Sequence, residues 1–276
     1  MINITVVPNN VYIEKGRCCQ YLNFDFLLEN MTDEKLEINT IQVLIFDSGH
    51  KLLSRRFINR NGSPASIYTL PNIKIAPKGT LYIFNPFYFF DADLKFKSLY
   101  YTFYFDSPTD IWKYKSELIV NPVYYETKTD LILPLNDRLI VYDGHEFYSH
   151  HRRIDLTHPM ARQIGVIANS GRYAYDFCVV NKNGDLYKGE GSSNEDWFGF
   201  GVKVYAPGKG KIVEVVDNIR DNILGERMFD FDEVSQNPKS MSGNYVIIDH
   251  KNGEYSLIGH FKQGSIDVKE GDEIGQ

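Results

Sequence analysis

The chain has 276 residues, 43% apolar and 24% charged, a composition suited to one large or two ordinary globular domains. Its formal net charge is −6 with lysine and arginine scattered, so there is no basic face for a phosphate backbone and nucleic acid is not an expected partner. Charges interrupt the apolar runs well short of the roughly 20 residues of a membrane span, and MINITVVPNN has no basic region leading into an apolar core. No transmembrane segment and no signal peptide are therefore expected in this sequence, and localisation stays open.

Residues 1 to 123 are dense in β-branched and aromatic side chains. Period-two alternation places Leu22, Phe24, Phe26 and Leu28 on one face, and Leu99, Tyr101, Phe103 and Phe105 on another. Turn clusters at 61–64 and 77–79 separate such segments, which predicts six to eight short strands, no amphipathic helix, and an antiparallel β-sandwich of immunoglobulin-like architecture. Cys18 and Cys19 are adjacent and Cys178 stands alone, so neither a disulfide framework nor paired metal knuckles arise. All three are expected as buried thiols, which suits a reducing compartment without excluding export.

The texture changes at residues 128–159, where a short apolar strand, Pro134 and another strand lead into a polar loop holding His145, His150, His151 and His158. The domain boundary is placed at 123/124, and the second unit, 124–276, is again expected to be all-β. Strand patterns recur in RYAYDFCVV, GVKVYAPGKGKIVEVVD, GNYVIIDHKNGEYSLIGHF and GSIDVKEGDEIGQ. Residues 217–242 are too long and polar for a hairpin and are expected to run over the surface.

Several side chains here can carry chemistry. Asp176 on its strand is a metal ligand, a partner for Arg172, or a solvated residue. His260 ends a strand and is structural or catalytic, whereas His250 precedes an Asn-Gly turn and belongs to the framework. The loop 189–201, with Trp197, Phe198 and Phe200, is either an aromatic substrate wall or a loop anchored by its own rings. It is no phosphate loop, since no strand-to-helix transition follows it, and no G-x-S-x-G occurs.

The order of the last three segments resembles the lysostaphin-type (LytM) zinc metallopeptidases over about 105 residues. Gly201, Val204, Ala206, Gly210 and Ile212 match one element of that pattern, while Gly243, Asn244, Val246, Ile248, His250, Gly253, Ser256 and His260 match another. The resemblance implies zinc as cofactor, Asp176 as a zinc ligand, His260 as the catalytic histidine, and hydrolysis of peptide cross-links in bacterial cell walls. Zinc held by two histidines and an aspartate keeps a position open for water and polarises an amide carbonyl.

Two departures qualify this. The family's first ligand histidine falls on Arg172, and a guanidinium cannot bind a metal, although it could pair with Asp176 or an acidic substrate group. The family's terminal H-x-H lies beyond the point matching DEIGQ, so the domain is expected to be C-terminally incomplete, with the metal site short of a ligand. His150 and His151 are candidate replacements beside Asp176, and Trp197, Phe198 and Arg172 are candidate substrate contacts. Three functions remain: a zinc endopeptidase, a degenerate non-catalytic domain that binds cell-wall peptide or a protein partner, or a purely structural β-rich surface protein in which both domains are scaffolds.

Overall fold

The computed structural model describes residues 2–226 and 231–275. Strand makes up 38% and helix 8%, in several antiparallel sheets, so the fold is all-β. In chain order the first half supplies β1 (Ile2–Val7), β2 (Tyr12–Lys15), β3 (Cys19–Leu22), β4 (Asp25–Asn30), β5 (Leu36–Phe46), β6 (Leu52–Asn59), β7 (Lys74–Ile75), β8 (Thr80–Phe84), β9 (Phe89–Asp91), β10 (Ser98–Asp106), β11 (Tyr114–Val120) and β12 (Val123–Tyr124). The additional strands beyond the six to eight expected are mostly two to four residues long, too short to show a period.

One sheet runs β1-β4-β8 and a second β11-β10-β5-β6, with β7 added to β5. Alternating inward residues of both form one buried core. Phe26 of β4 meets Tyr101 and Phe103 of β10 edge-on, with ring centroids 4.9 and 5.2 Å apart, so the sheets stack face to face. This strand order is that of an immunoglobulin-type sandwich. A third sheet, β12-β2-β3-β9, includes a parallel pairing of β12 with β2.

The second half supplies β13 (Leu139–Asp143), α1 (Pro159–Gln163), β14 (Asp176–Val179), β15 (Gly210–Val216), α2 (Phe231–Gln236), β16 (Asn244–Asp249), β17 (Tyr255–Phe261) and β18 (Glu273–Ile274). β13 and β14 form a two-stranded sheet, and β17-β16-β15-β18 a four-stranded one over a small core of Ile212, Val246 and Ile248. The strand expected just before Pro134 does not form. Ile132 N–H donates to the Pro207 carbonyl and Tyr205 N–H to that of Pro134, but prolines at 134 and 207 remove donors that would extend a ladder. Leu131, Ile132 and Leu133 stay exposed. Cys18, at the β2–β3 turn, is also exposed rather than buried, and Cys19 and Cys178 are half-buried.

The polar stretch 217–242 carries α2 and a 3-10 turn, Pro238–Ser242, and residues 227–230 within it lie outside the described residues. Hydrogen bonding changes partner at the middle of the chain: Tyr124 Oη donates to Gln20 of the third sheet, whereas Tyr125 Oη donates to Glu254 at 2.6 Å. Glu254 also accepts from Thr129 Oγ1 at 2.5 Å and Lys128 N–H at 2.9 Å. The bonds from Thr129, Tyr125 and Lys128 hold its carboxyl down to about 2 from an ordinary 4.5. A depressed acid stabilises the fold above its ordinary value and loses that contribution as pH falls through the folded one. Hydrogen exchange at residues 125–129 should therefore accelerate as pH drops from 4.5 toward 2 once intrinsic rates are removed, and Glu254→Gln should show the loosened state already at neutral pH.

Candidate metal centre

Asp176 opens β14, and its neighbour across the ladder is set by an irregularity. The register runs Leu139↔Val179, Ile140↔Cys178 and Val141↔Phe177, then skips Tyr142 to place Asp143 opposite Asp176. A bulge re-aims side chains in this way. Like charges directly opposite on a sheet repel, so the pair calls for a positive or hydrogen-bonding group between them.

His150 fills that role. Its Nδ1 contacts the Asp143 carboxylate, and its Nε2 lies 3.8 Å from Asp176 Oδ2. His151 Nε2 lies 2.9 Å from Asp176 Oδ1. The two imidazoles lie against each other, with ring centroids 4.1 Å apart. Asp143 also accepts from the His150 and Gly144 backbone N–H groups. Partial burial works against ionisation of Asp143, but these bonds together with the His150 ring hold its carboxyl below the ordinary carboxylate value.

One ligand atom each from His150, His151 and Asp176 falls within 4.8 Å of the others. Two imidazoles and a carboxylate suit a zinc-like ion, whose protein ligands stand about 2.0–2.2 Å from the metal. A ligating histidine whose second nitrogen meets a carboxylate is the usual supporting arrangement, and Asp143 supplies it. The donor set therefore fits.

His260 is on β17, so Asp176 and His260 belong to different sheets. On β17 the register passes from Ile258↔Val246 to Phe261↔Asn244, leaving Gly259 and His260 together opposite Tyr245. This second bulge holds His260 at φ 63°, a left-handed conformation uncommon for a side-chain-bearing residue. Gly259 has no room for a Cβ, which would stand 2.8 Å from the Ser242 carbonyl. His260 keeps an exposed edge, yet the protein mass around it desolvates the ring and pushes its pKa below the ordinary value. Asp176 pulls the pKa up and His151 pushes it down, so the three groups are within electrostatic reach.

The other expected residues fall elsewhere. Arg172 is buried, and its Nη1 donates to Asn23 Oδ1 at 2.9 Å and Asp25 Oδ2 at 3.2 Å. It neither pairs with Asp176 nor faces a substrate, because Asp25, a buried anion of the other half, takes its charge. His145 contacts Glu14 and His158 caps α1 by accepting from Met160 N–H. His250 is buried between the Lys209 carbonyl and Ser256 Oγ, a framework residue.

Trp197 Nε1–H donates to the Gly191 carbonyl and its ring leans on Tyr187, so the aromatic loop is anchored by its own side chains. Phe198 and Tyr187 line an open depression of about 530 Å³ that does not include the histidines or Asp176. The same loop lies between the two site strands: Gly199 packs on Val179 of β14, and Phe200 lies under the Lys262 ammonium, just past His260. Asp143 was not foreseen, since only the one-residue bulge brings it opposite Asp176.

No family model matches the chain, and no curated protein matches it. Among solved structures, the chain is similar to one titled "X-ray structure of Northeast Structural Genomics Consortium target SoR45", at 13% identity and a TM-score of 0.31, over 44% of this chain and 86% of that one. At that TM-score the likeness carries no argument.

Because Asp176 raises the His260 pKa, its removal should lower it further. An NMR titration of metal-free protein should find His260 below the ordinary 6.5, and lower still in Asp176→Asn; an unchanged value in that variant would separate the two groups.

Proposed function

We propose that the chain is a zinc-dependent peptide hydrolase of the LytM type acting on cell-wall peptide, with His150, His151 and Asp176 holding the ion and His260 moving the proton. The observation that carries this reading is the grouping of His150, His151 and Asp176, one ligand atom of each lying within 4.8 Å of the others, with His260 within electrostatic reach of Asp176 and His151. A bound zinc would supply a Lewis acid and an acidified water.

The chain's own residues perform the rest. Asp143 keeps the His150 ring oriented. His260, held neutral near pH 7 by desolvation, is able to accept a proton from the attacking water and return it to the leaving amine. The aromatic loop with Trp197 and Phe198 borders the strands that carry Asp176 and His260, a place suited to an extended peptide. Arg172 at the family's first ligand position does not remove the site in this reading, because His150 and His151 supply the imidazoles from a different loop.

The test is metal content and cleavage together. Purified protein should take up about one zinc or cobalt per chain, and Asp176→Ala should abolish that uptake. Asp143→Ala should weaken affinity by roughly 10–100-fold. His260→Ala should retain metal and lose about 10²–10⁴-fold in cleavage of purified peptidoglycan. Metal uptake indifferent to Asp176→Ala would reject the site, and peptidoglycan binding without cleavage in the metal-loaded protein would favour a non-catalytic binding domain.

A further inference from the structure

The loop that carries His150 and His151 is held on one side by residues of the first half of the chain. At its start, His145 Nε2 lies 3.1 Å from Glu14 Oε2 of β2. Next, Phe147 stacks on Tyr88, with centroids 4.0 Å apart and rings 4° from parallel. Immediately after the histidines, Arg152 donates to both oxygens of Asp25 at 2.6 and 2.7 Å and to the Phe24 carbonyl at 3.1 Å. Arg153 then lies over the Phe84 ring of β8.

Arg152 and Asp25 are fully buried, and the fork geometry of a guanidinium on a carboxylate fixes direction as well as distance. Arg172, four residues before Asp176, reaches the same carboxylate. Asp25 thus constrains both chain segments that supply the metal-binding atoms, while none of its own bonds reaches those atoms.

We infer that the immunoglobulin-like half is the template of the metal centre, and that Asp25 is a positioning residue acting through Arg152 and Arg172. This rests on the metal-site reading for its functional consequence, but the templating itself is a statement about residues 144–153. Within its own half that loop is held by the Asp143 bonds, the Ser149 hydroxyl on the Gly144 carbonyl, Asn169 on the His151 carbonyl, the His151 contact with Asp176 and the His145 ring against Tyr173 and Tyr175, and none of these is a fully buried ion pair like that of Arg152 with Asp25. In the templated arrangement, removing Asp25 frees both arginines and lets His150 and His151 drift from Asp176.

The test uses the full chain in four forms: wild type, Asp25→Asn, Arg152→Lys, and Phe103→Leu as a control that destabilises the sandwich core away from the loop. Arg152→Lys retains the charge and loses the fork, and it serves if Asp25→Asn does not fold. Cobalt affinity and hydrogen exchange of metal-free protein are measured well below each variant's melting temperature.

Asp25→Asn or Arg152→Lys should weaken cobalt binding about 10-fold or more and speed exchange within 144–153, while Phe103→Leu changes neither despite a comparable loss of thermal stability. Wild-type exchange in 144–153 under both loop variants would overturn the inference, as would equal acceleration in Phe103→Leu. If the wild type binds no cobalt, yet the loop variants alone accelerate exchange in 144–153, the metal reading fails and the templating stands.

Discussion

Asp25 is the charge on which the two halves converge. A carboxylate with no solvent exposure is tolerable only when its ionised form is fully engaged, and Asp25 receives Arg152 bidentately, Arg172, Tyr82 Oη and the Asn85 backbone N–H. Burial and the adjacent Asp25 push the Tyr82 phenol pKa upward, so that hydroxyl stays a donor. Two guanidiniums on one carboxylate leave a net positive charge inside, which neutral acceptors share: Asn23 Oδ1 and the Phe24 carbonyl. Such a cluster is a poor source of net stability compared with apolar packing. Its strength lies in direction, since losing one member strands the others and only one relative placement of the two halves satisfies all of them.

The centre itself is made by departures from regular sheet. A regular β13–β14 ladder would face Asp176 with Tyr142, and a regular β16–β17 ladder would turn the His260 side chain differently; each bulge shifts one residue and re-aims a polar side chain. The neighbouring strands β15 and β16, themselves paired through an irregularity between Ile212 and Glu214, frame β17, on which His260 holds a left-handed backbone. The locally unfavourable features, opposed carboxylates and a positive-φ histidine, gather around one small volume. Such concentration is expected of a functional site rather than of a scaffold.

Much of the fold was legible because its strongest signals are periodic. Leu22, Phe24, Phe26 and Leu28 are all buried as the alternation required, and β10 spans the SLYYTFYFD segment. Short strands such as β2, β3, β9 and β12 were not legible, since two to four residues carry no period and their pairing depends on distant partners. The same limit applies to the site. His150 and His151 were readable as donors near Asp176 because imidazoles in a loop just before its strand are chemically conspicuous. Asp143 required knowledge of a bulge, and the partner of Arg172, read as Asp176 or an acidic substrate group, is Asp25, 147 residues away. Sequence offers only neighbouring acids as partners for a guanidinium, whereas the fold brings it to a buried one.

The two arginines also bear on the proposed centre, because the charge of Arg172, close in sequence to Asp176, is engaged elsewhere. A guanidinium left near Asp176 would compete with any cation for that carboxylate, so retaining a metal there demands that Arg172 be drawn away. Asp25 engages it in the interface, and the same carboxylate holds Arg152, the residue after His151, whose Nε2 lies 2.9 Å from Asp176 Oδ1. One buried anion thus engages both the arginine before Asp176 and the arginine after His151. The opposed pair Asp143 and Asp176 is met by both imidazoles, His150 on Asp143 and His151 on Asp176 at 2.9 Å, with His150 Nε2 standing 3.8 Å from Asp176. Under the proposed reading, a divalent ion among the two imidazoles and Asp176 would add its positive charge where two carboxylates already face each other, which favours its binding there.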